Sequence, residues 1–140
     1  MEHKEIEIIE FQPEGYKPLV DFGEWRVAVL KFCDDLKLEN IKTMQKHLET
    51  DEVFVLIRGN CTLFLGKDGD TPEDIHRVSM EPGKIYNIKK GVWHNHIMDE
   101  GTEVLIVENR NTCDDNSPIV PLNEEQLAQS RRPSGLRKTR

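Results

Sequence analysis

Short apolar runs, each closed by a turn signal, constrain this chain more than any other feature of it. Val53 to Ile57 is followed by Arg58-Gly59-Asn60, and Ile75 to Met80 by Glu81-Pro82-Gly83. Lys84 to Ile88 precedes Lys89-Lys90-Gly91, and Asp99-Glu100-Gly101 leads into Thr102 to Glu108. Runs of this length, rich in Val, Ile, Phe and Thr and punctuated by glycine, read as β-strands joined by tight turns. The spacing predicts strands over Glu5–Phe11, Trp25–Cys33, Asn40–His47, Glu52–Arg58, Cys61–Leu65, Ile75–Met80, Lys84–Ile88, His94–Met98 and Thr102–Glu108. Many short strands at regular intervals mean a sandwich or a barrel. One helix is expected, over Glu124–Gln129, with Asn123 as its N-cap and Gln126 in the capping-box position. It is short, so it is expected to lie on the outside of the barrel.

Two stretches carry chemistry. In the first, His47 and Glu52 precede an apolar strand, and six residues separate Glu52 from the turn residue Gly59. In the second, Gly83 and Gly91 lead to His94. This pattern resembles the two signature motifs of the cupin superfamily, whose first motif is His-x-His, Glu, Gly and whose second is Gly, Pro-x-Gly, His, Asn. Gln45 stands at the first histidine position, Lys89 at the proline and Met98 at the asparagine. The resemblance implies an all-β fold, a double-stranded β-helix or jelly-roll barrel, with the two motifs forming one pocket.

Alternate residues of a strand face the same way, so Gln45 shares a side with His47 and His94 with His96. If the motif strands are neighbours, as the resemblance implies, both pairs converge in the interior. His47, Glu52 and His94 would then supply two imidazoles and a carboxylate, a set that leaves coordination positions open. The expected cofactor is a divalent transition metal (Zn, Fe, Mn or Ni). Gln45 offers an amide oxygen as fourth donor, and His96 is the rival ligand or a supporting hydrogen-bond partner. Arg58 would share the inward parity of Glu52 in an unbroken strand and could grip a substrate carboxylate, though a surface ion pair fits it equally well. Tyr86 could donate its hydroxyl to substrate, although an aromatic residue in a strand usually packs. Trp93 has the opposite parity to His94 and is expected to pack against the other sheet face or a partner chain.

Composition narrows the classes further. At 140 residues the chain suits one domain, expected over 1–130. Mean hydropathy is low at −0.61, but the apolar residues are clustered rather than dispersed, which argues against disorder. Net charge is −7 although residues 131–140 hold five Arg or Lys and no acid, so the rest is strongly acidic and should repel nucleic acid. The basic tail is expected to be disordered. No run is long enough to span a bilayer and no secretory signal is visible, which makes the cytoplasm the expected compartment. Cys33, Cys61 and Cys113 are too scattered for a disulfide framework or a zinc site of the Cys-x-x-Cys kind.

Two functions of different class fit these features. One is a metalloenzyme acting on a small polar or carboxylate-bearing molecule, with lyase, isomerase or oxygenase chemistry as cupins display. The segment Gly91-Val92-Trp93-His94 is similar to the corresponding region of ureidoglycolate lyases, which would imply cleavage of a ureido-substituted hydroxy acid. The other is a non-catalytic module that binds or senses a small molecule or a metal. Apolar residues on both faces of Cys61–Leu65 and Thr102–Val107 further predict a homodimer.

Overall fold

The turn signals fall between strands almost everywhere, and the reason is visible at Gly59. Its backbone has φ +89, and a Cβ there would sit 2.6 Å from Thr102 Cα, so only glycine lets the turn between Arg58 and Cys61 close against Thr102. The computed structural model describes residues 5–11 and 13–132. It contains ten strands: β1 (Gly15–Phe22), β2 (Trp25–Lys31), β3 (Thr43–Gln45), β4 (Glu52–Arg58), β5 (Cys61–Leu65), β6 (His76–Ser79), β7 (Tyr86–Ile88), β8 (His94–Met98), β9 (Glu103–Asn109) and β10 (Ile119–Pro121). The one α-helix among the described residues, α1 (Glu124–Ser130), follows.

The strands form two five-stranded antiparallel sheets, β1-β2-β9-β4-β7 and β10-β3-β8-β5-β6. After β2 the chain repeatedly crosses from one sheet to the other, the connectivity of a jelly roll. Ala28, Leu30, Phe54, Leu56, Val104 and Ile106 point inward from the first sheet and meet Cys61, Leu63 and Met98 of the second. Each Val, Leu, Ile, Phe or Met side chain so taken from water contributes roughly 1.5–3 kcal/mol, so this layer is what holds the sheets together.

A second apolar cluster lies on the outer face of the second sheet. Met44, Phe64, Trp93, Ile75, Ile41 and Leu122 pack there, with Leu127 of α1 against them. Helix α1 starts as expected: Asn123 Oδ1 accepts the backbone N–H of Gln126 at 2.8 Å, and Gln126 Oε1 accepts that of Asn123 at 2.8 Å. Gln126 also donates to the Pro72 carbonyl, and the Ser130 carbonyl accepts from Arg77, which ties the helix to the sheet. The outward apolar residues of β5 are therefore covered by the chain itself. On the first sheet Val27, Val29, Val53, Val55, Leu105 and Val107 remain half-buried.

Two expectations change. Glu5–Phe11 is not a strand, apart from a single bridging residue at Glu7; the sheet edge beside β2 is taken by β1, which the sequence pattern did not announce. The predicted basic tail lies outside the described residues from 133 onward. Among the described residues no helix is long and apolar enough to cross a membrane.

Candidate metal centre

Strand geometry brings the two motifs together at one end of the barrel. Gln45 of β3 pairs with His94 of β8, and Glu52 opens β4 in the facing sheet. His47 lies just beyond β3, where its carbonyl accepts the N–H of Gly91 at 2.8 Å. Glu52 Oε1 stands 3.0 Å from His47 Nε2 and 3.1 Å from His94 Nε2. The donor atoms of the three residues all lie within 4.8 Å of one another, and the residues are 8%, 6% and 4% exposed in the order His47, Glu52, His94. Donors bound at about 2.1 Å and at right angles around one ion stand roughly 3 Å apart, close to the two spacings measured at Glu52.

The protonation pattern tests whether a cation fits. His94 Nδ1 faces the Val92 carbonyl at 2.9 Å. A carbonyl only accepts, so the hydrogen is on Nδ1 and Nε2 is the nitrogen turned toward Glu52. Nε2 can face a carboxylate at this distance either as the N–H of an imidazolium or as a lone pair with a cation beside it. Burial opposes the charge on Glu52, but hydrogen bonds from His47 and His94 outweigh it and hold the carboxyl well below the usual carboxylate range. Burial likewise disfavours charge on His47, and its bond to Glu52 reverses that and raises the imidazole above its ordinary value. The pocket is thus built to hold positive charge, and the donors fit a metal ion.

The surrounding cavity has a volume of about 390 Å³. Gln45 lines it and donates Nε2 to the Ser117 carbonyl at 3.1 Å, which leaves the amide oxygen as its free end. His96 also lines it, two residues along β8, with its ring 5.6 Å from that of Phe54. It stands outside the three-residue cluster, and its buried Nδ1 has no partner among the described residues. Burial, only partly countered by Glu52, pushes this imidazole down to about 4, so it is neutral at physiological pH.

Arg58 and Tyr86 are not brought to the cavity. The register slips between Leu56 and Arg58, so the parity that would have turned Arg58 inward is broken; it points to solvent and pairs with Glu103 at 3.5 Å. Tyr86 packs against the core, and its hydroxyl accepts the Glu81 N–H at 2.9 Å. Trp93 packs in the outer cluster of the second sheet, where Nε1 donates to the Gly69 carbonyl at 2.9 Å and Lys46 Nζ lies 4.6 Å above the ring.

The first sheet, which carries Glu52, brings to the cavity further residues that motif reading missed. Glu108 of β9 accepts a hydrogen bond from the Tyr16 hydroxyl, and Arg26 Nη1 stands 3.9 Å away. Burial and the nearby charge of Glu52 push the Glu108 carboxyl well above the usual range. The signal that could have found Glu108 is parity, since it continues the inward series Val104, Ile106. Tyr16 lies on the strand that the pattern did not reveal.

No protein-family model and no curated protein matches the sequence. Solved structures do match. A cupin-2 domain containing protein from Shewanella frigidimarina is 22% identical, with 71% of this chain and 85% of that one covered, at a TM-score of 0.49. Pac13, a nucleoside dehydratase, is 10% identical over 82% of this chain and 86% of its own, at a TM-score of 0.55. Hydroquinone 1,2-dioxygenase from Sphingomonas is 10% identical over 73% and 69%, at 0.54. At these identities the likeness is one of fold. With two five-stranded antiparallel sheets in jelly-roll order and the motif residues His47, Glu52 and His94 gathered at one end, the chain has a cupin-type jelly-roll fold.

Proposed function

We propose that the protein is a metal-dependent cupin enzyme acting on a small polar metabolite. The observation that carries this is the convergence of His47 Nε2, Glu52 Oε1 and His94 Nε2 in a buried pocket that opens into a cavity of small-molecule size. A divalent transition ion bound there would act as a Lewis acid on an oxygen of the ligand. The amide oxygen of Gln45 is the fourth donor, and His96 supports the pocket without ligating. Tyr16, Glu108 and Arg26 line the cavity on the Glu52 side and would orient the ligand through donor and acceptor groups. Lyase, isomerase and oxygenase chemistry are the reaction classes this arrangement serves, and cleavage of a ureido-substituted hydroxy acid is one specific candidate among them.

Metal analysis of protein purified without added metal, and again after reconstitution, tests the reading. Close to one equivalent is expected in the parent and none in His94→Ala. A folded parent protein holding less than about a tenth of an equivalent after reconstitution sinks it.

Gln45 in place of an imidazole favours a second reading, a module that binds its ligand without turning it over. A small acid or polyol that raises Tm of the metal-loaded protein, yet is recovered unchanged after long incubation, would select it. We further propose that two copies pair through the half-buried Val27, Val29, Val53, Val55, Leu105 and Val107 face of the first sheet. Light scattering at micromolar concentration decides that point, with a monomer mass as the contrary result.

A further inference from the structure

His47 is not oriented by its own strand. β3 ends at Gln45, and the ring of His47 is gripped from the side by residues 111–118. The hydrogen bonds of that segment determine each proton position up to the ring. Asn116 Nδ2 donates to the Asn111 carbonyl at 3.1 Å, which sets the orientation of the amide, and Asn116 Oδ1 accepts the Cys113 N–H at 3.1 Å. Ser117 Oγ lies 3.0 Å from the same Oδ1. An amide oxygen only accepts, so the hydroxyl hydrogen of Ser117 points to Asn116. The Ser117 oxygen then has only lone pairs to offer His47 Nδ1, 2.7 Å away, and Nδ1 must carry the hydrogen.

We infer that Ser117 and Asn116 are positioning residues that hold His47 in the Nδ1–H tautomer, present its Nε2 toward Glu52 and His94, and thereby set the metal affinity of the site. The inference rests on the metal-binding reading of that pocket. The alternative tautomer would place two lone pairs against each other at 2.7 Å inside a buried site, where Ser117 is only 2% exposed. The segment is also latched to the ligand-bearing stretch: the Pro118 carbonyl accepts from Lys46 N at 3.1 Å and the Asn116 carbonyl from Leu48 N at 2.9 Å. Ser117 serves Gln45 as well, through its own carbonyl. His94 is different, because the acceptor that fixes its tautomer is a backbone carbonyl that no side-chain substitution removes.

The test titrates the full-length, metal-free protein with Co²⁺, read by its visible absorption, and with Zn²⁺ by competition. Ser117→Ala is expected to lower affinity by about 10–100-fold, the usual effect of losing the partner of a ligating imidazole, and Ser117→Thr to restore it. Asn116→Ala, which frees the hydroxyl to turn toward the ring, is expected to give a smaller loss and serves if Ser117→Ala folds poorly. A second readout uses the ¹⁵N spectrum of the Zn²⁺-loaded protein, in which a ligating imidazole keeps its hydrogen on the nitrogen that does not face the ion. His47 should be protonated on Nδ1 in the parent. Parent-like affinity in Ser117→Ala, or a parent His47 protonated on Nε2, overturns the inference. A parent that binds no metal overturns the metal reading and this inference with it, whereas a parent that binds metal and a Ser117→Ala protein that binds it equally well overturn the inference alone.

Discussion

The two ends of the barrel interior are built on the same strands with the same inward parity, yet one end is polar and the other dry. Along β4 the inward series is Glu52, Phe54, Leu56, and along β9, read backwards, Glu108, Ile106, Val104. On β8 it is His94, His96, Met98, with Leu63 and Cys61 opposite the last two. Strand parity therefore decides which side chains face inward but not what medium they meet there. At the polar end the buried groups are satisfied in pairs: Glu52 with two imidazoles, Glu108 with Tyr16, His47 with Ser117. At the dry end only packing acts. His96 stands on the boundary, against Phe54, and its buried Nδ1 finds no partner among the described residues.

Substitution at the dry end gives the largest expected effect on stability. Leu63→Ala should cost about 2–5 kcal/mol in urea unfolding, with metal stoichiometry unchanged. A loss of metal alongside the loss of stability would show that the two ends are not independent.

The boundary comes next. His96 has a folded-state value of about 4 against an ordinary 6.5, so in this window the unfolded chain takes up a proton that the folded one refuses. Stability contributed at neutral pH is lost as pH falls from 6.5 toward 4, by about 3 kcal/mol at the full effect. His96→Leu should remove that slope in the metal-free protein, and parallel pH dependence of parent and variant would refute it.

The smallest change concerns the polar end. Gln45→His supplies a third imidazole and should tighten Zn²⁺ binding roughly tenfold. Unchanged affinity would mean that position 45 does not reach the ion.

The same contrast explains what could be read in advance. His47, Glu52 and His94 were legible because a fixed spacing to glycines marks them, and one of those glycines, Gly59, is required by its close approach to Thr102. The sheet strands were legible where alternation was strong. β1 was not, since Gly15-Tyr16-Lys17-Pro18 alternates poorly and Pro18 weakens any strand assignment, whereas the regular Glu5–Phe11 stretch makes only the single bridge at Glu7. Of the two readings the sequence left open for Arg58, the surface ion pair forms and the inward one fails at a bulge that parity counting cannot foresee. Tyr16, Arg26, Glu108 and Ser117 reach the cavity from separate elements with no shared motif, so only the folded arrangement shows them together.

The alternation of the chain between sheets has a consequence for how the molecule assembles. His47 follows a strand of one sheet, Glu52 opens a strand of the other, and His94 returns to the first of these two. No hairpin contains the whole triad, so an early, locally ordered fragment has nothing with which to capture an ion. Metal would enter only after the two sheets have closed on each other. Such an ion would be expected to slow unfolding without speeding refolding, and its uptake would then time the last step of a slow, long-range topology.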